Sequence, residues 1–462
     1  MSNPKPTQPA AVAVPSAEGN LLKNALIGGF IKSRWFPGIF QWPTVLVFAV
    51  IIYVLLMGPI AAHNNLGTAL TWVLWWPLIP ILFIFLGRFW CAICPFGTVS
   101  DVVQKFVGHT RPVPAFLKKY GIWIIDAMFI MITWTDHVFG IVESPWGSGV
   151  LLLLLTTGVV LAGALWERRA WCRHLCFLGG LAGNYARTGM LALRGTPENC
   201  ATCKVSACYK GSEQAPGCPM FEFPRVMDTN AQCNLCGDCV KSCPNDSIRL
   251  TLRVPTQELW FIRKPRFEQA FLAVVIMGIV FVQNITMLDV WGSILGWLEH
   301  ATGTQNYAVT FTVTFLIAMF VPITLLAFAG LLAKKLNGDT LVQNFAKFGY
   351  AIIALDVAAH MAHNLFHLLA EGKAIIFTAL AFVGQAVPEQ SPALVDNATI
   401  QILQFALITL GVVGSVYTAY RIARSNYVSG KAWATLVPYA ALIVVLGGVN
   451  VWLFLMPMAM RM

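Results

Sequence analysis

The sequence predicts an all-α polytopic membrane protein of about nine transmembrane helices, interrupted once by a polar insert. Three observations predict it. The chain of 462 residues is 57% hydrophobic and only 11% charged, whereas soluble domains average about 25% charged. Nine apolar stretches are long enough to cross a bilayer, which takes about 20 residues. Between the fourth and fifth lies a long polar segment, residues 194–266, that holds eight of the twelve cysteines.

Residues 1–19 are polar and rich in Pro and Ala, which predicts a disordered tail. They carry no basic-then-apolar pattern with a small-residue cleavage site, so no removable signal peptide is expected. Residues 21–40 mix Lys23, Lys32 and Arg34 with Leu, Ile, Trp and Phe and read as an amphipathic segment on the inner membrane surface. Residues 1–42 thus precede the first span. Residues 43–193 form a four-span unit, with spans near 43–61, 67–86, 120–142 and 147–166. Residues 267–462 form a five-span unit, with spans near 267–289, 308–332, 345–369, 398–423 and 436–456. The apolar stretch 374–387 is too short to span and reads as interfacial or re-entrant.

Charge orients the chain. With the N-terminus inside, 29 of the 31 Lys and Arg fall in or beside inner segments, leaving Lys373 and Arg461 outside. The net charge of +10 is this bias and points to a membrane surface, not to nucleic acid. Every cysteine then lies on the inner, reducing side, which favours thiols free for metal over a disulfide framework. The C-terminus is expected outside.

The insert carries the most specific motif: Cys233-x2-Cys236-x2-Cys239-x3-Cys243-Pro244. Three thiolates at this spacing wrap one iron–sulfur cubane, and the fourth, before Pro, usually serves a second cluster. A second set is present: Cys200, Cys203, Cys208 and Cys218-Pro219. Paired cysteines also suit structural zinc, but the triple spacing with a Cys-Pro end favours a bacterial-type 2[4Fe–4S] ferredoxin-like domain on the cytoplasmic side. By the crossing rule, Cys233, Cys236, Cys239 and Cys218 hold one [4Fe–4S] cluster and Cys200, Cys203, Cys208 and Cys243 the other. The longer gaps around Cys208 leave an uncrossed arrangement open.

Four cysteines remain. Gly87-Arg88-Phe89-Trp90-Cys91-Ala92-Ile93-Cys94-Pro95 follows the second span, and Arg168-Arg169-Ala170-Trp171-Cys172-Arg173-His174-Leu175-Cys176 follows the fourth. Each is an inward exit, then basic, aromatic and Cys residues, so a two-span unit is repeated. At one membrane boundary the two pairs suit a third iron–sulfur cluster, another thiolate metal site, or redox dithiols.

From these motifs, residues 43–266 resemble the NapH-type membrane ferredoxins and their NosR-type and CcoG-type relatives. The order matches: Cys91/Cys94-Pro95, Cys172/Cys176, then the eight-cysteine insert. The first pair has two intervening residues where the family has three, and Phe177 stands where the second would have Pro. The resemblance implies a multi-pass protein of the bacterial inner membrane. It also implies electron transfer between the quinone pool and a periplasmic pathway, or reduction of a metal ion. A periplasmic cytochrome or reductase, or another membrane subunit, would be its redox partner. Whether the chain is itself an enzyme, such as a quinol dehydrogenase, stays open.

The last five spans lie beyond that resemblance. In the seventh, Asp356, His360, His363 and His367 share one helical stripe. Ionisable groups within a span are costly and usually face the bundle interior. The stripe is expected in the outer half of the span. It suits a b-type haem shared with a second helix, copper or iron, or a quinone or proton site. Asp126, near mid-span in the third span, is a candidate for a proton path, and His137 on the same face reads as a cap. There is no Cys-x-x-Cys-His for covalent haem and no nucleotide-binding glycine fingerprint. The combined expectation is a wire from cytoplasmic clusters to an outer site. The alternative is a copper or iron reductase or a metal-centre assembly factor.

Overall fold

The structure is a computed structural model that describes residues 19–457. The tail 1–18 and Arg461 lie outside the described residues. After α1 (Ala25–Lys32) comes the first long apolar helix, α2 (Gly38–Met57). The chain then returns through a short π-helical stretch, Ala69–Trp75, into α3 (Trp76–Leu86). The first cysteine loop leads into α4 (Pro95–Val107), and α5 (Ala115–Phe139) and α6 (Pro145–Leu165) follow. The second cysteine loop includes α7 (Ala170–His174) and leads into α8 (Phe177–Tyr185). The two-span unit and the short helix after each cysteine pair are therefore repeated in three dimensions.

Among the described residues, eight helices are long and apolar enough to cross a membrane. The ninth expected span lies within α5, whose length suffices but whose Asp126 and Asp136 make it less apolar than the rest.

The insert is closed by a two-stranded antiparallel sheet, β1 (Leu191–Gly195) with β2 (Ile248–Leu252), in a register that sets Leu193 against Leu250. The sheet brings the ends of the insert together. Behind it, Glu258 takes Arg194 and, at 2.7 Å, Arg253 in a buried ion network, and also accepts the Asn230 N–H at 2.7 Å. Charges out of water need such pairing.

Residues 21–40 do more than lie on a surface. Leu21, Leu22 and Ile31 pack into the apolar core of the insert with Leu235 and Val240. Lys32 pairs with Asp246 at 2.6 Å, and Lys241 donates to the Phe36 carbonyl. Gly237 (φ 82°) makes this docking fit, because a Cβ there would sit 3.0 Å from both Ile31 and Phe36. The opposite side exposes Leu26, Phe30, Trp35 and Trp42, as an interfacial segment would.

The C-terminal unit holds α9 (Phe267–Ile285), α10 (Tyr307–Asn337), α11 (Leu341–Ala370), α12 (Asn397–Asn426) and α13 (Ser429–Leu455). The short helix Lys373–Phe382 takes up the first part of the apolar stretch 374–387, expected to be interfacial or re-entrant. Residues 272–282 of α9 are buried throughout, as befits a helix that is apolar all round. Both α9 and α11 pack against the first unit, so the two units share one apolar core.

Candidate iron–sulfur centres and the seam between the units

The insert gathers its eight cysteines into two sets. Cys200, Cys203, Cys208 and Cys243 line one small cavity with Phe223 and Arg225. Burial pushes the Cys208 thiol up to about 11, and Cys243, Cys200 and Cys203 push it the same way. Burial likewise raises Cys233 to about 12 and holds Cys236 and Cys239 well above the usual thiol range. Each of these three also feels Cys218. The cavity thus brings together the four cysteines of one crossed set, Cys200, Cys203, Cys208 and Cys243. Burial disfavours a bare thiolate, whereas a bound metal requires one.

Backbone geometry prepares both sets. Leu235, Ser206, Phe221 and Asp246 have positive φ, each in a loop beside its cysteines. Such φ values cost L-residues energy and persist where the surroundings demand them. Here they help turn N–H groups toward sulfur. The N–H groups of Ser206 and Val205 bond Cys203 and lower its thiol, that of Leu235 bonds Cys233, and Ser247 donates to Cys243 at 3.3 Å. Hydrogen bonds to the sulfurs tune an iron–sulfur cluster.

The other four cysteines converge as well. Burial raises the Cys176 thiol well above its ordinary range, and Cys172, Cys94 and Cys91 add to the effect. Cys172 is pushed up to about 11 by burial, offset by Arg169 and reinforced by Cys91. The loops that carry these cysteines fold back along the helices that precede them. Phe96 packs edge-on against Phe48 with ring centroids 4.9 Å apart, and Phe48 lies about 15 Å along α2 by helical rise. Trp171 sits so close to Gly158 that a Cβ there would lie 2.5 Å from the ring, and Gly158 is about 10 Å from the end of α6. Both cysteine loops turn back beside the helices because these aromatics pack into them.

Two buried arginines flank the four thiols. Arg88 is 1% exposed and makes no ion pair among the described residues. Its Nε donates to Cys91 Sγ at 3.3 Å, and its Nη atoms donate to the Ala231 carbonyl (2.8 Å), Gln232 Oε1 (2.9 Å) and the Cys172 carbonyl (3.4 Å). Arg169, 3% exposed, clasps Asp101 at 2.6 Å and donates to the Cys91 carbonyl at 2.6 Å. Burial works against the Arg169 charge, Asp101 sustains it, and Cys172 and the insert's Cys236 lie within its field. A buried cation without a carboxylate calls for another negative charge. Four cysteine thiolates around an iron–sulfur cluster would supply one, so the residues fit the group. The signal for both arginines was in the repeat: each stands three residues before the first cysteine of its pair.

Residues 68–114 and 148–193 match the family described as "4Fe-4S binding domain". Each match contains one of these cysteine pairs and the helix before it. The chain is related to the membrane polyferredoxins. The chain is similar to "Putative electron transport protein YccM" of Escherichia coli (strain K12), 26% identical over 36% of this chain and 51% of the relative. It is also similar to "Ferredoxin-type protein NapH" of Escherichia coli (strain K12), 24% identical over 38% of this chain and 66% of the relative. The match thus spans about half to two thirds of these relatives' length. No solved structure matches the chain.

The histidine stripe lies outside the polyferredoxin half and is divided among several partners. His360 is buried at the seam between the units, with Nδ1 3.0 Å from the Tyr185 hydroxyl and its ring 5.9 Å from Trp76. His363 Nδ1 meets Asn284 at 2.8 Å. His367 sits 3.8 Å from Glu371. Asp356 is buried and neither carboxyl oxygen has a hydrogen-bond partner. Among the described residues, no three His, Cys, Asp or Glu side chains are gathered to hold a single metal ion. Tyr185 and Trp76 belong to the polyferredoxin half, and nothing in their local sequence marks them as partners of His360. His137 bonds the Thr133 carbonyl at 2.9 Å and stacks on Phe311, a structural role. Asp126 is buried with both carboxyl oxygens unpaired.

Proposed function

We propose that the chain is an inner-membrane electron-transfer protein with three [4Fe–4S] centres. Two are held by the insert: one by Cys200, Cys203, Cys208 and Cys243, the other by Cys218, Cys233, Cys236 and Cys239. Cys91, Cys94, Cys172 and Cys176 hold the third, beneath Arg88 and Arg169. Bound there, each cluster would supply one-electron redox chemistry, with the cysteine sulfurs holding the iron. The observation that carries the reading is the gathering of twelve cysteines into three neighbouring sets. Cys208 lies within the field of Cys239, and Cys236 within that of Arg169. In this reading the three sets follow one another from the insert toward the helices of the first unit.

In this reading the insert and N-terminus face the cytoplasm. The membrane end of the series exchanges electrons with a quinone, and a redox protein, soluble or membrane-bound, completes the path. The protein chain itself binds the clusters, shields them and sets their electrostatics.

Iron determination and EPR on anaerobically purified protein test the assignment. About twelve irons per chain are expected, with three reducible centres. Cys172→Ala should remove one centre and about four irons, and Cys236→Ala a different one. Stoichiometric zinc with little iron would overturn the reading, and about eight irons unaffected by Cys172→Ala would remove the third centre.

A further inference from the structure

A line of indoles joins the third cysteine site to the seam. Trp90 directly precedes Cys91. Its ring centroid lies 5.8 Å from that of Trp75, Trp75 lies 6.0 Å from Trp76, and Trp76 lies 5.9 Å from the His360 ring. Trp75 closes the π-helical stretch Ala69–Trp75, and π-turns recur at functional sites. The indole N–H groups of Trp75 and Trp90 are buried without hydrogen-bond partners, although buried Trp usually finds one.

The far end of the line is also incomplete. Tyr185 occupies His360 Nδ1, while His360 Nε2 and both oxygens of Asp356 are buried and unpartnered. Buried polar atoms left unpaired in a folded protein call for a ligand or water. The groups present suit a flat, lipid-soluble ring bearing two oxygens. Its polar edge would meet His360 and Asp356, and Trp76 would cover one face.

We propose that Trp90, Trp75 and Trp76 form an electron bridge between the Cys91 site and a quinone pocket at His360. This deepens, and rests on, the electron-transfer reading above. Electron tunnelling weakens exponentially with distance and weakens less through packed atoms than across gaps, so contiguous rings extend its reach. The indoles are not oxidised. A quinone takes two electrons and two protons to become quinol. Each passage along the bridge carries one electron from one reduced centre, two passages complete the conversion, and the protons are exchanged beside Asp356 and His360. Quinol oxidation runs the same steps in reverse.

The test uses holoprotein reduced with dithionite, freed of excess reductant and mixed with a decyl-substituted benzoquinone. Freeze-quench EPR follows each centre. Indole fluorescence quenching of the oxidised protein reports quinone binding separately. Trp75→Leu should slow quinone-driven reoxidation roughly tenfold or more. Iron content, quinone affinity and reoxidation by ferricyanide should remain unchanged. Trp75→Phe keeps a ring and should stay within about threefold of the wild type. Trp72→Leu, beside Trp76 but off the line, should match the wild type. Trp90→Leu, on the line but away from the quinone, is judged by the same outcomes should Trp75→Leu lose iron. A wild-type rate in Trp75→Leu with iron intact would refute the bridge and leave the quinone reading standing. An equal slowing with ferricyanide would refute it in favour of a structural role. Wild-type centres that the quinone does not reoxidise would overturn the quinone reading, and the bridge with it.

Discussion

The Tyr185 hydroxyl and His360 Nδ1 meet at 3.0 Å across the seam between the polyferredoxin half and the C-terminal helices. Tyr185 ends α8, the short helix that starts after Cys176. His360 lies well inside α11, which is itself largely buried. One hydrogen bond thus ties the end of a cysteine-bearing element to a helix that lies beyond the residues matched to the 4Fe-4S binding family. It also occupies one ring nitrogen of His360 and leaves the other, Nε2, buried without a hydrogen-bond partner.

Replacing Tyr185 by Phe should cost about 1–3 kcal/mol, because it strands a buried imidazole nitrogen. Unfolding in mixed detergent micelles measures this, with iron content as a control for the clusters. Unchanged stability would mean that the hydroxyl contributes nothing at the seam.

Arg88 should set the potential of the centre beside it. Arg88→Gln keeps a donor near Cys91 but removes a buried positive charge, which stabilises the more negative, reduced state. The reduction potential of that centre should fall by roughly 60 mV or more, a tenfold change in a one-electron equilibrium. EPR-monitored redox titration reads it, and the two centres of the insert should move much less. An equal shift at all three would deny Arg88 its local role.

Glu258 pairs with Arg194 and Arg253 beneath the sheet that closes the insert. Glu258→Ala leaves two buried guanidiniums without their carboxylate and should destabilise the insert by about 3–5 kcal/mol. The readout is earlier bleaching of the iron–sulfur absorption on titration with guanidinium chloride. A midpoint like the wild type's would show that water solvates the two arginines adequately.

Sidedness follows from charge. Protease added to inverted membrane vesicles should cut between Arg194 and Arg266, whereas right-side-out vesicles should protect that stretch. Cutting from the periplasmic side would invert the topology and move every cysteine to the outer face.

The sequence by itself determined the long apolar helices, the polar insert and the repeated cysteine pairs. Apolar length decides a span, and thiol spacing decides which sulfurs a short loop can present, so both are local properties written in consecutive residues. Even Arg88 and Arg169 stood in register with their cysteines. Tertiary structure alone decided which distant groups meet. The histidines shared a helical stripe in the sequence, yet His360, His363 and His367 turn to Tyr185, Asn284 and Glu371. A helical period fixes the face a side chain occupies but not the helix packed against that face. The folding back of the cysteine loops was likewise hidden, because it depends on Phe96 reaching Phe48 and Trp171 reaching Gly158. The line from Trp90 to His360 joins residues 270 positions apart, and only the packing of α3 against α11 brings them together.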